Sequence, residues 1–225
     1  MAPRAYRLGQ RQAGTEQTRA RIIAAARELF RSGASFSIDA VDREAGVARM
    51  TVYYQFGSKA KLLDALFDEL ATQGLLERLP AVFAQREPLD ALRALIGAFV
   101  NFWHSDTAVI RRIHGVAALD AEVDQANAAR EERRRGLLRK ALAPIAEKYG
   151  RPPPEMVDEA VDILFTLTSF ETYDRLAEPA RGPEEVEGIL NRLARAVIGL
   201  PAEEPDVRGT RRNHESREPA RSARR

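Results

Sequence analysis

The run Gly46-Val-Ala-Arg-Met-Thr-Val-Tyr-Tyr-Gln-Phe-Gly-Ser-Lys59 is the part of the sequence richest in groups that could do chemistry together. Its side chains suit a polyanion better than a reaction. Tyr and Thr hydroxyls and the free amides of a helix start donate to phosphate oxygens. Lys59 adds a point charge beside the same surface. Val47 and Val52 are spaced to face inward, which leaves Arg49, Met50, Thr51, Tyr53, Tyr54 and Gln55 largely outside. Two consecutive exposed aromatics are costly unless a partner covers them or they pack at an edge. The competing reading of the tyrosine pair is ordinary core packing.

Short helices must present these groups. Ile22, Ile23, Ala26, Leu29 and Phe30 recur at three- and four-residue spacing, so an amphipathic helix runs from Thr15 to just before Gly33. Ser37 is a suitable N-cap for a second helix carrying Ile38, Val41 and Ala45, which Gly46 stops. A third covers roughly Arg49 to Gln55. Gly57 then breaks the chain, and Ser58 caps a fourth helix with Leu62, Leu63, Leu66, Phe67 and Leu70 on its apolar face. Short helices joined by a tight Ala-Gly-Val turn form a helix-turn-helix pattern.

Everything that follows also reads as helix. Pro88 opens one helix through Trp103, another spans Asp106 to about Leu119, and a long charged one runs from Glu122 to Tyr149, with Pro144 expected to kink or split it. After the boundary at Gly150-Arg-Pro-Pro-Pro154 come helices over roughly Glu155–Ala177 and Pro183–Leu200. No stretch alternates as a strand, so the expected class is all-α. Met1 to Gly14 holds Arg4, Arg7 and Arg11 without an acid and reads as a flexible basic arm. Residues 201–225 are rich in Pro, Glu and Arg and read as a disordered basic tail. The expected organisation is therefore an arm over 1–14, a helix-turn-helix domain over 15–60, a larger helical domain over 61–200 and the tail.

Composition excludes several classes of function. The chain has 225 residues, no Cys and three His at wide spacing (His104, His114 and His214), which rules out thiol nucleophiles and argues against a metal site. No Ser-His-Asp or Gly-rich phosphate pattern points to an enzyme, and no cofactor is expected. No apolar run approaches the ~18–20 residues of a membrane span, and the polar N-terminus lacks a signal peptide's apolar stretch. The expected setting is cytoplasmic. Residues 1–60 carry ten Lys/Arg against five Asp/Glu, whereas residues 61–200 carry eighteen against twenty-three. A basic end on an acidic body suits a protein that brings one end to a polyanion.

Thr18 to Leu70, and above all Ala45-Gly-Val with Thr51-Val-Tyr-Tyr-Gln-Phe-Gly-Ser-Lys59, resembles the DNA-binding domain of the TetR family of transcriptional regulators. The resemblance covers about a quarter of the chain. It implies a homodimer on a pseudo-palindromic operator in double-stranded DNA, usually a repressor released by a small-molecule effector. Carried over by position, Arg49, Met50 and Thr51 would enter the major groove, Arg49 taking guanine in a bidentate contact and Met50 touching a thymine methyl, while Tyr53, Tyr54, Lys59 and Ser37 would hold phosphates. Gln55 stands where the family often has His, and could reach a base or a phosphate. Two residues depart from the pattern. Asp42 replaces a small residue where the motif's helices cross, so its carboxylate must reach solvent or a partner such as Arg43. Asp39 either favours the helix N-terminus or accepts from a cytosine amino group.

Beyond Pro88 the residues that could form a ligand cavity are Phe99, Phe102, Trp103, His104, His114, Phe165, Ser169 and Tyr173. Asn101, Thr166 and Thr168 are further polar candidates. Core packing is the alternative for each. Arg130, Arg133, Arg134, Arg135 and Arg139, set among Glu131 and Glu132, read as a solvated helix face. Val161, Leu164, Phe165, Leu167 and Thr168, then Ile189, Leu190, Leu193, Val197 and Ile198, give the last two helices broad apolar faces. The resemblance makes these a dimer interface, and burial within one chain would account for about half of them. A non-specific, nucleoid-type DNA binder is the alternative function.

Overall fold

The computed structural model describes residues 4–178 and 181–201, with side chains from Ala13 onward. Among them there are eleven α-helices and no strand. The first four are α1 (Arg4–Ser32), α2 (Ile38–Ala45), α3 (Arg49–Phe56) and α4 (Lys59–Gly74). Next come α5 (Leu79–Phe83), α6 (Pro88–Ser105), α7 (Thr107–Ala117) and α8 (Ala121–Tyr149). The chain continues with α9 (Val157–Leu167), α10 (Phe170–Ala177) and α11 (Pro183–Val197).

Local chemistry sets the boundaries near the site. Ser37 is extended, and its hydroxyl oxygen accepts from the Ala40 amide at 3.1 Å, which starts α2. Gly46 ends that helix at φ +61°, a left-handed conformation that costs a residue with a side chain ~1–2 kcal/mol. Ser58 starts α4 by accepting from the Lys61 amide at 3.2 Å.

A compact head forms where Ile22, Ala26 and Phe30 of α1 bury against Val41 and Ala45 of α2 and against Val52 and Phe56 of α3. The apolar face of α4 continues this core into the body. There Leu62, Leu63 and Leu66 join one buried cluster with Leu95, Phe99 and Phe102 of α6 and Leu138 and Leu142 of α8.

Four expectations need correction. The segment read as a flexible arm over 1–14 is helical from Arg4, as a continuation of α1. Ala, Leu, Gln and Arg dominate that segment, and its two glycines are too few to interrupt the helix. Pro144 does not split α8. A proline inside a helix removes one backbone bond, and burial of Ala141, Leu142 and Ile145 around it holds the helix in place. The single helix read over 155–177 is two, because Ser169 turns extended and accepts from the Thr172 amide at 3.2 Å, capping α10. Finally α5, with a 3-10 turn over Leu76–Arg78, fills a stretch assigned no element. The tail beyond Pro201 lies outside the described residues.

Candidate nucleic-acid interface

The turn between α2 and α3 is closed by backbone bonds from Gly46 N–H to Arg43 O at 3.3 Å and from Val47 N–H to Asp42 O at 3.0 Å. It delivers α3 with Val52 and Phe56 buried, so the opposite side of this two-turn helix faces outward. Met50 is 74% exposed and Tyr54 86%, values that a core role for either does not allow. Arg49 is exposed too, while Thr51, Tyr53 and Gln55 are half-buried along the edge of the same face. The two tyrosines therefore part company: Tyr53 packs against the core at the helix edge and Tyr54 stands free. Val47 is half-buried against the same core.

Arg49 is pre-positioned. Its Nη1 lies 2.6 Å from Asp39 Oδ1, and its guanidinium sits 5.7 Å from the Tyr53 ring centroid, its neighbour one turn along α3. Hydrogen bonding to Tyr53, then the charge of Asp39, hold the Arg49 guanidinium above its ordinary pKa. Asp39 is thus committed to Arg49, and Arg43 donates through Nε to the Asp39 carbonyl at 2.8 Å. Asp42 is half-buried and so escapes full desolvation.

Ser37 is exposed, and its cap uses only an oxygen lone pair, so the hydroxyl proton remains available to a phosphate. Lys59 points partly away from this surface. Its Nζ lies 4.0 Å from Asp120 Oδ2 and 5.7 Å from the Phe36 ring centroid. Beside it Ser58 donates to Glu122 Oε1 at 2.8 Å. Two acids at the start of α8 therefore hold the end of the head that adjoins α4.

Two further contacts position α3 and carry no local sequence signal. Arg19 of α1 reaches the Gln55 carbonyl at 3.5 Å and lies 4.5 Å from the Phe56 ring centroid, steadying the end of α3. At the other end of α1, Arg27 Nε and Arg31 Nη2 both donate to Asp106 Oδ2 at 2.7 Å, and Arg112 donates to the Phe30 carbonyl.

The body contains a cavity of about 420 Å³ between α4, α6 and α8. Of the candidate ligand residues, Phe99, Phe102 and Trp103 line it. The other five do not line it, and each is engaged with other partners. His104 Nδ1 and the Tyr173 hydroxyl are 2.9 Å apart, and His114 Nδ1 lies 3.0 Å from Glu171 Oε1. Ser169 caps α10, and Phe165 is covered by the guanidinium of Arg134, 3.9 Å from its ring centroid. Thr168 accepts the Trp103 indole N–H at its carbonyl, at 3.0 Å. Phe67, Leu75, Arg130 and Arg134 line the cavity without having been expected to. The arginine-rich stretch of α8 is accordingly not all solvated, since Arg134 is buried.

The His114 contact lowers the Glu171 carboxyl from 4.5 to about 2. A depressed carboxyl contributes stability above its unfolded pKa and loses it as pH falls through the folded value. That contribution is therefore complete above about 4.5 and decays toward pH 2. Glu171 is 64% exposed, so solvent keeps it small. His114→Gln is expected to move the Glu171 midpoint up toward the ordinary carboxylate range in a carboxyl-carbon NMR titration.

The described residues thus form an all-α chain with a helix-turn-helix head on a larger helical body. Residues 22–66 match the family described as bacterial regulatory proteins, tetR family. No curated protein matches the chain. Among solved structures, a protein described as a TetR-family transcriptional regulator from Syntrophomonas wolfei superposes with a TM-score of 0.68 at 17% identity, covering 83% of this chain and 97% of that one. A transcriptional regulator from Rhodococcus sp. Rha1 gives 0.60 at 23% identity, with 82% and 95% covered. The TetR-family regulator PfmR from Thermus thermophilus gives 0.57 at 19% identity, with 81% and 99% covered. At these identities the structural likeness concerns the fold. The family match covers the helix-turn-helix head, and the likeness of the remaining helices is one of fold.

Proposed function

We propose that this protein is a site-specific transcriptional regulator, a repressor that binds a pseudo-palindromic operator as a homodimer and leaves it when a small molecule binds. The outward face of α3 carries this reading. Arg49, Met50 and Tyr54 stand exposed on a helix that follows a left-handed glycine turn, with Thr51, Tyr53 and Gln55 at its edge and Ser37 capping the helix before it. In this reading Arg49, Met50 and Thr51 read base edges and Tyr53, Tyr54 and Ser37 grip phosphates. Gln55 lies at the border between the two groups, and Lys59 leaves Asp120 for a phosphate.

The dimer reading draws on α9 and α11. Each carries two apolar stripes, and Val161, Leu164, Val186, Leu190 and Ala194 are consumed within the chain. Ile163 and Leu193 remain exposed, with Ile189 and Val197 half-buried one turn on either side of Leu193. Leu193→Ala is expected to raise the dimer dissociation constant about tenfold, the weight of one interfacial leucine. Sedimentation equilibrium measures it, and an unchanged constant would move the interface elsewhere.

Release would run through α4. Its first residue adjoins α3, its Phe67 lines the cavity, and at its last residue, Gly74, an added Cβ would lie 3.0 Å from Phe102 Cδ2. An effector in the cavity thus touches the helix that sets the head's tilt, and couplings of about 1–3 kcal/mol change DNA affinity ~5–150-fold. Selection of bound duplexes from a random pool at near-physiological salt tests the DNA reading. An enriched palindrome is expected. Binding that only follows ionic strength, with no enriched sequence, would instead mark a general, nucleoid-type DNA binder.

A further inference from the structure

Two arginines of α8, Arg130 and Arg134, lie one helical turn apart on the same face and are sealed from solvent, their side chains 10% and 6% exposed. Each is only partly answered. Arg130 directs Nη2 to the carboxylates of Asp64 and Asp68 and lies 4.5 Å from the Phe67 ring centroid. Arg134 donates through Nη1 to the Phe165 carbonyl at 2.5 Å and to Thr168 Oγ1 at 3.0 Å, and through Nη2 to Glu131. In both residues the Nε–H is buried without an acceptor among the described residues. Buried donors are almost always paired, and an unanswered donor on a cation is the costliest kind. Burial outweighs the Glu131 carboxylate at Arg134 and lowers its guanidinium pKa, the mark of an under-compensated charge.

Both arginines line the cavity between α4, α6 and α8. Its walls are otherwise chiefly aromatic and aliphatic, from Phe67, Phe99, Phe102 and Trp103 to Leu75 and Leu137. Four cations, Arg130, Arg133, Arg134 and Lys140, line it against the carboxylates of Asp68 and Glu131. A neutral apolar occupant would strip the last water from two under-compensated guanidinium groups. A cation would add like charge to them. An anion on an apolar body answers both the unpaired donors and the walls.

We infer that this cavity takes an amphipathic organic carboxylate, its head at Arg130 and Arg134 and its body among Phe67, Phe99, Phe102 and Trp103. The inference rests on the effector reading above and names the chemical class of that effector.

The test titrates the full chain with decanoate, decanol and decylamine, which share a tail and differ in head group. Trp103 is the only tryptophan and lines the cavity, so its emission reports occupancy. Decanoate is expected to bind at least about tenfold more tightly than decanol, as a charge-assisted hydrogen bond requires, with decylamine the weakest. Arg130→Gln and Arg134→Gln, each checked for native helicity by circular dichroism, are expected to bring decanoate down to the level of decanol. Should Arg134→Gln fail to fold, Arg130→Gln and the head-group comparison on the unaltered chain decide.

Equal binding of decanol and decanoate would overturn the inference. So would silence of Trp103 to every straight-chain carboxylate of roughly six to sixteen carbons, sizes that span a cavity of this class. Operator binding separates the two readings. Saturation by decanoate without DNA release would leave the anion site standing and remove its role as effector site. Release by a neutral or cationic compound that perturbs Trp103, with no effect of any carboxylate, would keep the effector site and overturn the anion.

Discussion

Arg49→Ala is expected to erase the preference for one base pair in each half-site while leaving much of the affinity for unrelated DNA intact. A bidentate contact from an arginine to guanine discriminates by about 1–3 kcal/mol, or ~5–150-fold, and a twofold-symmetric dimer makes it twice. The structure adds a reason to expect the upper part of that range. The Arg49 guanidinium is held by Asp39 at 2.6 Å and stacked near Tyr53, so less rotamer freedom is lost on docking than a free arginine would lose.

Tyr53→Ala should behave differently. Losing a phosphate contact weakens binding to all sequences alike, and losing the ring also frees Arg49. Asp39→Asn keeps the shape of the residue and removes the charge that restrains Arg49. It is expected to strengthen binding to random DNA and to flatten the base preference. Competition binding against a panel of single-base operator variants reads all three. Equal losses on every sequence for Arg49→Ala and Tyr53→Ala would contradict this division of labour.

The double substitution Arg27→Met/Arg31→Met is expected to destabilise the fold by about 3–5 kcal/mol, a large share of the ~5–15 kcal/mol that typically holds a domain together. The carboxylate of Asp106 is the buried member of this group, 6% exposed, and its two cations are the 26% exposed Arg27 and the half-exposed Arg31. Removing both leaves a negative charge with neither water nor a partner. Either single substitution leaves one cation in place and should cost much less. Adding Asp106→Asn to the double variant removes the stranded charge and should recover part of the loss. Urea denaturation of the parent and these variants measures the cycle. A double variant within about 1 kcal/mol of the parent would show that solvent reaches Asp106 after all. The tie also links head to body, since Arg27 and Arg31 belong to the first helix of the head and Asp106 joins α6 to α7 in the body. Loosening it should let the head tilt more freely.

Much of the head was legible in the sequence because its signals are local. Ser37, Gly46 and Ser58 act on backbone within three or four residues of themselves, and all three caps form as their positions require. The three- and four-residue spacing of Ile22, Ala26 and Phe30 marks the buried side of α1 directly. The outward face of α3 follows from Val52 and Phe56, which bury themselves and leave the remaining positions to solvent. Where local signals conflicted, burial decided. Pro144 is a helix breaker by itself and is overruled by the packing of its neighbours. Thr168 and Ser169 look like helix interior and instead end one helix and cap the next.

The sequence by itself determined the helical class, the order of the head's elements and which side chains α3 offers, because caps, turns and apolar periodicity are properties of a few consecutive residues. Tertiary structure alone decided what restrains those side chains and where the cavity lies. Asp106 meets Arg27 across 79 positions and Arg130 meets Asp64 across 66, distances over which no spacing rule operates. Whether an aromatic of α6 lines a cavity or fills the core depends on which helix packs against it. On that ground Phe102 and Trp103 face the cavity, while His104, next in the chain, turns to Tyr173. Burial of Arg134 follows from the same packing, since the helices that close over α8 remove the water its charge would otherwise have kept.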